Sequence, residues 1–139
     1  MESKIAHLNM IQAIVGRMAN NSLAIKQLSV GIVSAIFALG ATKDSISFEL
    51  FYVAFLPAIA FWWLDAYFLR QERLYRKLYD GVCNNTDETD FSMDTAIYSD
   101  QVKGHLCTMC SATLLVFYGF IIVAIVAFLL IVSKATNGM

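Results

Sequence analysis

Residues 111–133, "SATLLVFYGFIIVAIVAFLLIVS", contain no Asp, Glu, Lys, Arg or His, and Tyr118 is their only ionisable group. A helix of about 20 apolar residues crosses the hydrocarbon core of a bilayer. This run is long enough to do so, and it has no polar face to turn toward water. A soluble domain would have to surround it on every side. The chain has 139 residues, of which 58% are hydrophobic and one is proline, and its mean hydropathy is +0.61. That apolar excess points to membrane spans.

Two shorter uncharged runs precede it. Residues 27–42, "QLSVGIVSAIFALGAT", lie between Lys26 and Lys43, and residues 50–64, "LFYVAFLPAIAFWWL", lie between Glu49 and Asp65. The first is short, so its flanking lysines must snorkel to the interface. The second reaches spanning length only by continuing through Asp65 to Leu69, with Trp62, Trp63 and Tyr67 as an aromatic belt. A buried hairpin in a soluble bundle is the competing arrangement, and the 111–133 run argues against it. No cleaved signal peptide is expected, because residues 1–26 lack an apolar stretch ahead of a cleavage site.

Net charge is −1 and selects no partner, but its distribution is uneven. Lys4, Arg17 and Lys26 precede the first run, and Arg70, Arg73, Arg76, Lys77 and Lys103 lie in 70–110. Only Lys43 and Lys134 occupy the opposite side. The positive-inside rule then puts the N-terminus and 70–110 in the cytoplasm and the C-terminus outside.

Spacing organises the cytoplasmic part. Ile5, Leu8, Ile11 (or Gln12), Val15 and Met18 recur every three or four positions, while Lys4, His7, Arg17 and Asn20 avoid that stripe. This is an amphipathic helix, too poor in basic residues for a surface anchor and better suited to packing on protein. Leu64, Phe68, Gln71, Tyr75, Leu78 and Val82 form a heptad-like seam that extends the second span as a helical stalk. Glu72 and Arg76 stand in the favourable i, i+4 order. Residues 84–101 hold five acidic side chains and no basic one, and read as a polar loop able to pair with the stalk.

Catalytic patterns are missing. There is no phosphate-cradling glycine loop, no HExxH and no GxSxG, so no catalytic residue, cofactor or enzyme activity is expected. Cys83, His105, Cys107 and Cys110 match a zinc ligand set by count, but one CxxC lacks a second pair and cysteine is ordinary beside a span, so no metal site is assigned. Asp65 has two readings, an interfacial carboxylate facing an arginine or a group lining a pore vestibule. Arg70, Arg73, Arg76 and Lys77 have three: topology alone, attraction to anionic lipid, or a site for a phosphate-bearing ligand.

Longer motifs carry a resemblance. "MIQAIVGRMANNSLAIK" at 10–26, "FWWLDAYFLRQERLYRKLYDGV" at 61–82, "FSMD" at 91–94 and "LVFYG" at 115–119 resemble a widespread group of small bacterial membrane proteins. That group is similar to the membrane effectors of nucleotide-signalled anti-phage systems, the membrane component of Hailong-type defence among them, which works beside a nucleotidyltransferase. The resemblance covers nearly the whole chain and brings over Asp65, Arg70, Gln71, Glu72, Arg73, Arg76 and Asp80 as group residues. It implies a homo-oligomer, with a tetramer as one stoichiometry, that contacts membrane lipid and is gated by a nucleotide or DNA oligomer on its cytoplasmic cap. His105, Cys107 and Cys110 fall outside these motifs.

The expected fold is all-α, with three transmembrane helices, an amphipathic N-terminal helix and a cytoplasmic extension of the second span. Its parts are 1–26 as the amphipathic helix, 27–69 as the first two spans, 70–110 as stalk and acidic loop, 111–133 as the third span and 134–139 as an external tail. The expected function is a channel-like effector with Arg70, Arg73, Arg76 and Lys77 as ligand residues and Asp65 at the pore. A non-conducting scaffold that anchors a cytoplasmic partner is the alternative. Gly31, Ser34, Ala35 and Ala38 give the first span a small-residue face for close helix approach, between copies or within the chain. A reporter that works only outside the cytoplasm should be active when fused after Met139. A silent fusion there, with a cytoplasmic reporter active at the same position, would reverse the topology.

Overall fold

The structure is a computed structural model that describes residues 2–41, 49–84 and 91–137. Its long elements are helices: α1 over Glu2–Ala41, α2 over Glu49–Asn84 and α4 over Ala112–Asn137, with a short α3 over His105–Met109 and a 3-10 turn over Ala96–Gln101. Three of them, α1, α2 and α4, are long and apolar enough to cross a membrane, which suggests a membrane location.

The expected break between an amphipathic helix and a first span is not a break in the backbone. α1 runs uninterrupted for 40 residues, straight through Asn20, Asn21 and Ser22. Those three are weak helix formers. They stay helical because the α1 face here packs on α2, and because the Ser22 hydroxyl donates to Asp65. α2 likewise continues through Pro57 without ending. A proline in an apolar span is tolerated where neighbouring helices cover the freed backbone group.

α1 and α2 form the largest interface and run antiparallel. Lys4 Nζ donates to the Cys83 carbonyl at 3.0 Å near one end, and Ser22 and Lys26 meet Asp65 near the middle. Each step forward along α1 is thus a step back along α2. At 1.5 Å per residue the two helices are about 60 and 54 Å long, nearly twice the thickness of a hydrocarbon core, whereas α4 is about 39 Å. One half of the hairpin is therefore long enough to span, and the other extends beyond it as a two-helix stalk.

The spanning half has a small, tight core. Leu114, Tyr118, Ile121 and Ile125 of α4 face Ala54, Ala58 and Ala66 of α2 and Val33 of α1. Alanines let helices approach closely where lipid offers no hydrophobic drive. Phe37 and Phe128 stack at 4.4 Å, and Trp62 stacks on Tyr118 at 5.9 Å. The opposite face of α4, with Val116, Phe120, Val123, Leu130 and Ile131, is open and wholly apolar, as a lipid-facing surface should be. The Gly31, Ser34, Ala35 and Ala38 face is also open, so the close packing inside the chain uses the α2 alanines instead.

In the stalk the seam is rotated from the expected one. Leu74 and Leu78 are its buried residues, while Tyr75, Phe68, Gln71 and Val82 are only half-buried. Ile11 is fully buried, Val15 and Met18 are half-buried, and Ile5 is exposed. His7, expected off the apolar stripe, is 1% exposed. Both shifts have one cause. The stalk is covered on a second side by residues 91–102, so burial is not confined to the α1–α2 seam. His7 lies against Phe91 and within 3.1 Å of the Ser92 carbonyl, Val102 is buried, and Tyr98 lies on Gly81, where any Cβ would overlap its hydroxyl. The acidic residues at 87, 88 and 90 lie outside the described residues.

Leu78→Asp should cost about 3–5 kcal/mol, the penalty of an unpaired charge at a packed contact. The check is thermal unfolding of the detergent-solubilised protein. A variant that assembles and melts like the parent would mean the stalk does not pack at this position.

Candidate functional site

Asp65 sits where the three long helices meet, and it is completely buried. Its partners come from two other helices. Lys26 Nζ lies 2.6 Å from Oδ2, Ser22 donates to Oδ1, and the Tyr118 hydroxyl donates to Oδ2 at 3.2 Å. Lys26 also donates to Ser22 Oγ at 2.7 Å and stands 5.9 Å from the centre of the Phe117 ring. The Tyr118 hydroxyl further lies 3.2 Å from the Phe61 carbonyl. One positive and one negative charge thus close a neutral cluster inside an apolar bundle.

Such a cluster can act as a lock. A carboxylate and an ammonium taken from water cost several kcal/mol each, and only good geometry and further hydrogen bonds repay this. Here both carboxylate oxygens are engaged, and the ammonium uses two of its three donors besides facing a ring. The helix positions explain the meeting. Lys26 precedes the first apolar run and Asp65 follows the second, so an antiparallel hairpin brings both to one height. Within the chain the Asp65 partner is a lysine of α1 rather than an arginine, and the carboxylate is turned to the bundle interior. Tyr118 stands out as the only ionisable group of 111–133, but nothing in the sequence pairs it or Ser22 with Asp65.

The four basic stalk residues do not form one cluster. Arg76 is exposed and bound to Glu72, with contacts of 2.7 and 2.9 Å, one helical turn away. It lines a groove of about 400 Å³ on the α1 side of α2 with Gln12, Val15, Tyr79 and Asp80. Lys77 is exposed on the other side, in a groove of about 390 Å³ with Asp80, Gly81, Asn84, Tyr98 and Gln101. Arg73 is half-buried, as is Arg70, whose Nε is buried without a hydrogen-bond partner.

Cys83, Cys107 and Cys110 are free and exposed. Among the described residues no three His, Cys, Asp or Glu side chains converge as a metal set. His105 packs instead on the Trp63 ring at 4.8 Å. α3 is fastened by Trp62, whose Nε1 donates to the Met109 carbonyl at 3.1 Å, and by the Thr108 hydroxyl, which donates to the Gly104 carbonyl at 3.0 Å.

Comparison with protein-family models, curated proteins and solved structures gives no match. Sequence and geometry therefore carry the functional reading on their own.

Lys26→Met and Asp65→Leu should each destabilise the protein by about 3–5 kcal/mol, because each strands a buried charge. The double variant should lose much less than the sum, since it leaves no charge behind. Unfolding midpoints of all four proteins in one detergent test this. Additive losses would mean that the two groups do not stabilise each other.

Proposed function

We propose that this chain is the channel-like effector of a bacterial anti-phage defence system. In this reading it is a homo-oligomer in the inner membrane, gated by a nucleotide or DNA oligomer on the cytoplasmic side. One observation carries the reading: α2 is a single helix that holds the basic stalk residues at one end and the Asp65 lock and a membrane span further along. A force on Arg73 or Lys77 is transmitted through a rigid rod to the bundle, with no loop to absorb it.

Conduction in this reading runs between copies rather than through one chain. The interior of the bundle is filled by Tyr118, Ile121 and Ile125, and its charges cancel. The outward face of Gly31, Ser34, Ala35 and Ala38 offers a second copy a close approach. Arginine and lysine on the stalk suit a polyanion. A guanidinium pairs with phosphate through two parallel hydrogen bonds, and repeated copies of the stalk add their fields. Grooves on both sides of α2 give such a strand room to pass from one subunit to the next. Arg76 enters this role only by leaving Glu72, so Arg73 and Lys77 are the residues to test first.

Reconstituted in dye-loaded liposomes, the protein should change ion flux when a short single-stranded DNA oligomer is added on the stalk side. Arg73→Ala with Lys77→Ala should abolish both the response and the binding. Binding should weaken with salt at a log–log slope of about −0.7 per phosphate neutralised. Binding without any flux change would assign the chain to the scaffold alternative. No binding at low salt would remove the polyanion reading.

A further inference from the structure

We propose that α3 and the α2 face bearing Trp63, Tyr67 and Arg70 form a binding site for the headgroup of an anionic phospholipid. The site is independent of the stalk ligand and would exist whether or not the protein conducts.

Height in the bilayer is the first ground. Trp63 and Leu106 are 53% and 76% exposed, and Tyr67 is also exposed, so at this level an apolar and aromatic surface is left uncovered. Trp and Tyr favour the edge of the hydrocarbon, where a ring can be half apolar and half wet. The Trp62 bond to the Met109 carbonyl fixes α3 at the same level. Trp63, Tyr67 and Arg70 follow one another at spacings of four and three, on one face of α2. Arg70 is seven residues beyond Trp63, hence about 10 Å further from the hydrocarbon. The headgroup layer of one leaflet is of that order, roughly 5–8 Å. With Trp63 at the hydrocarbon edge, the Arg70 backbone stands at the outer rim of that layer, from which its long side chain reaches back to a phosphate.

Unspent hydrogen-bonding capacity is the second. Among the described residues, four buried side-chain atoms have no hydrogen-bond partner: His7 Nδ1 in the stalk, and Arg70 Nε, His105 Nε2 and Ser111 Oγ here. Buried polar atoms are rarely left so. The last three belong to α2 near this face, to α3, or to the α3–α4 junction. Charge is the third ground. Glu72 is taken by Arg76 and Asp65 by Lys26, so the neighbouring carboxylates on α2 do not neutralise Arg70. Lys103, exposed one residue before the Gly104 cap of α3, adds a second cation. Arginine takes a phosphodiester through its fork, His105 offers a ring nitrogen to a headgroup oxygen, and Trp63 with Leu106 meets the upper acyl chain.

Trp62 and Trp63 are the only tryptophans, and because Trp62 is half-buried and holds α3 while Trp63 is exposed, lipid quenching of the unsubstituted protein reads chiefly Trp63. In vesicles of phosphatidylcholine and phosphatidylglycerol, quenching of Trp63 by brominated phosphatidylglycerol should exceed that by brominated phosphatidylcholine about five-fold in relative affinity. Arg70→Gln with His105→Gln should bring that ratio to about one. If that double variant does not fold, Arg70→Lys serves, since it keeps the charge but removes Nε and the fork; the ratio should fall here too. Equal quenching by the two lipids in the parent overturns the site, as does an unchanged ratio in every variant. Loss of the selectivity on adding inorganic phosphate at constant ionic strength also overturns it, by assigning the pocket to a soluble phosphate.

Discussion

The Lys26–Asp65 ion pair is the constraint on which the rest of the chain depends. A carboxylate with no solvent contact can stay charged only beside a cation, and that cation must come from another helix. The pair therefore fixes the register of α1 on α2. Ser22 and Tyr118 complete its hydrogen bonds, and Tyr118 thereby ties α4 to the same point. Shifting any of the three helices by one residue would break the set. Apolar packing among Ala54, Ala58, Ile121 and Ile125 has no such demand, because alanine and aliphatic side chains accept several registers.

From that point the molecule divides into two differently packed halves. Toward the C-terminus of α1 the helices pack through small residues and turn aliphatic side chains outward. Toward its N-terminus the same two helices continue as a stalk whose stability comes from burial of Ile11, Leu74 and Leu78 and from a cover by residues 91–102. α2 touches every other element and so links the two halves. Its aromatic boundary at Trp62, Trp63 and Tyr67 is also where α3 is held. The lock, the aromatic residues and the proposed lipid site all lie within three helical turns of α2.

Much of this was legible from residue order alone. The uncharged run at 111–133, the continuation of the second span into a stalk and the Glu72–Arg76 pair all follow from local rules of length, charge and spacing. The seam was legible in kind but not in phase. Its heptad pattern assumed one packed side, whereas the 91–102 segment supplies a second and draws His7 into the interior. The basic residues are close in sequence, but at about 100° per residue Arg70, Arg73 and Lys77 share a face and Arg76 stands apart from it. A helix distributes them around its axis, and the grooves on either side of α2 receive Arg76 and Lys77 separately.

What the sequence by itself determined is the three long apolar stretches and the charges at their ends, because runs of apolar residues, charge placement and periodicity act over one or two turns. Which side chains meet was decided only by the tertiary structure. Lys26 and Asp65 are far apart in the chain, and each alone reads as the charged end of a span. Pairing the spans antiparallel puts both at one height, and α4 then closes the space around them with Tyr118. Burial converts two ordinary flanking charges into a closed, hydrogen-bonded ion pair, and burial is a property of three helices together.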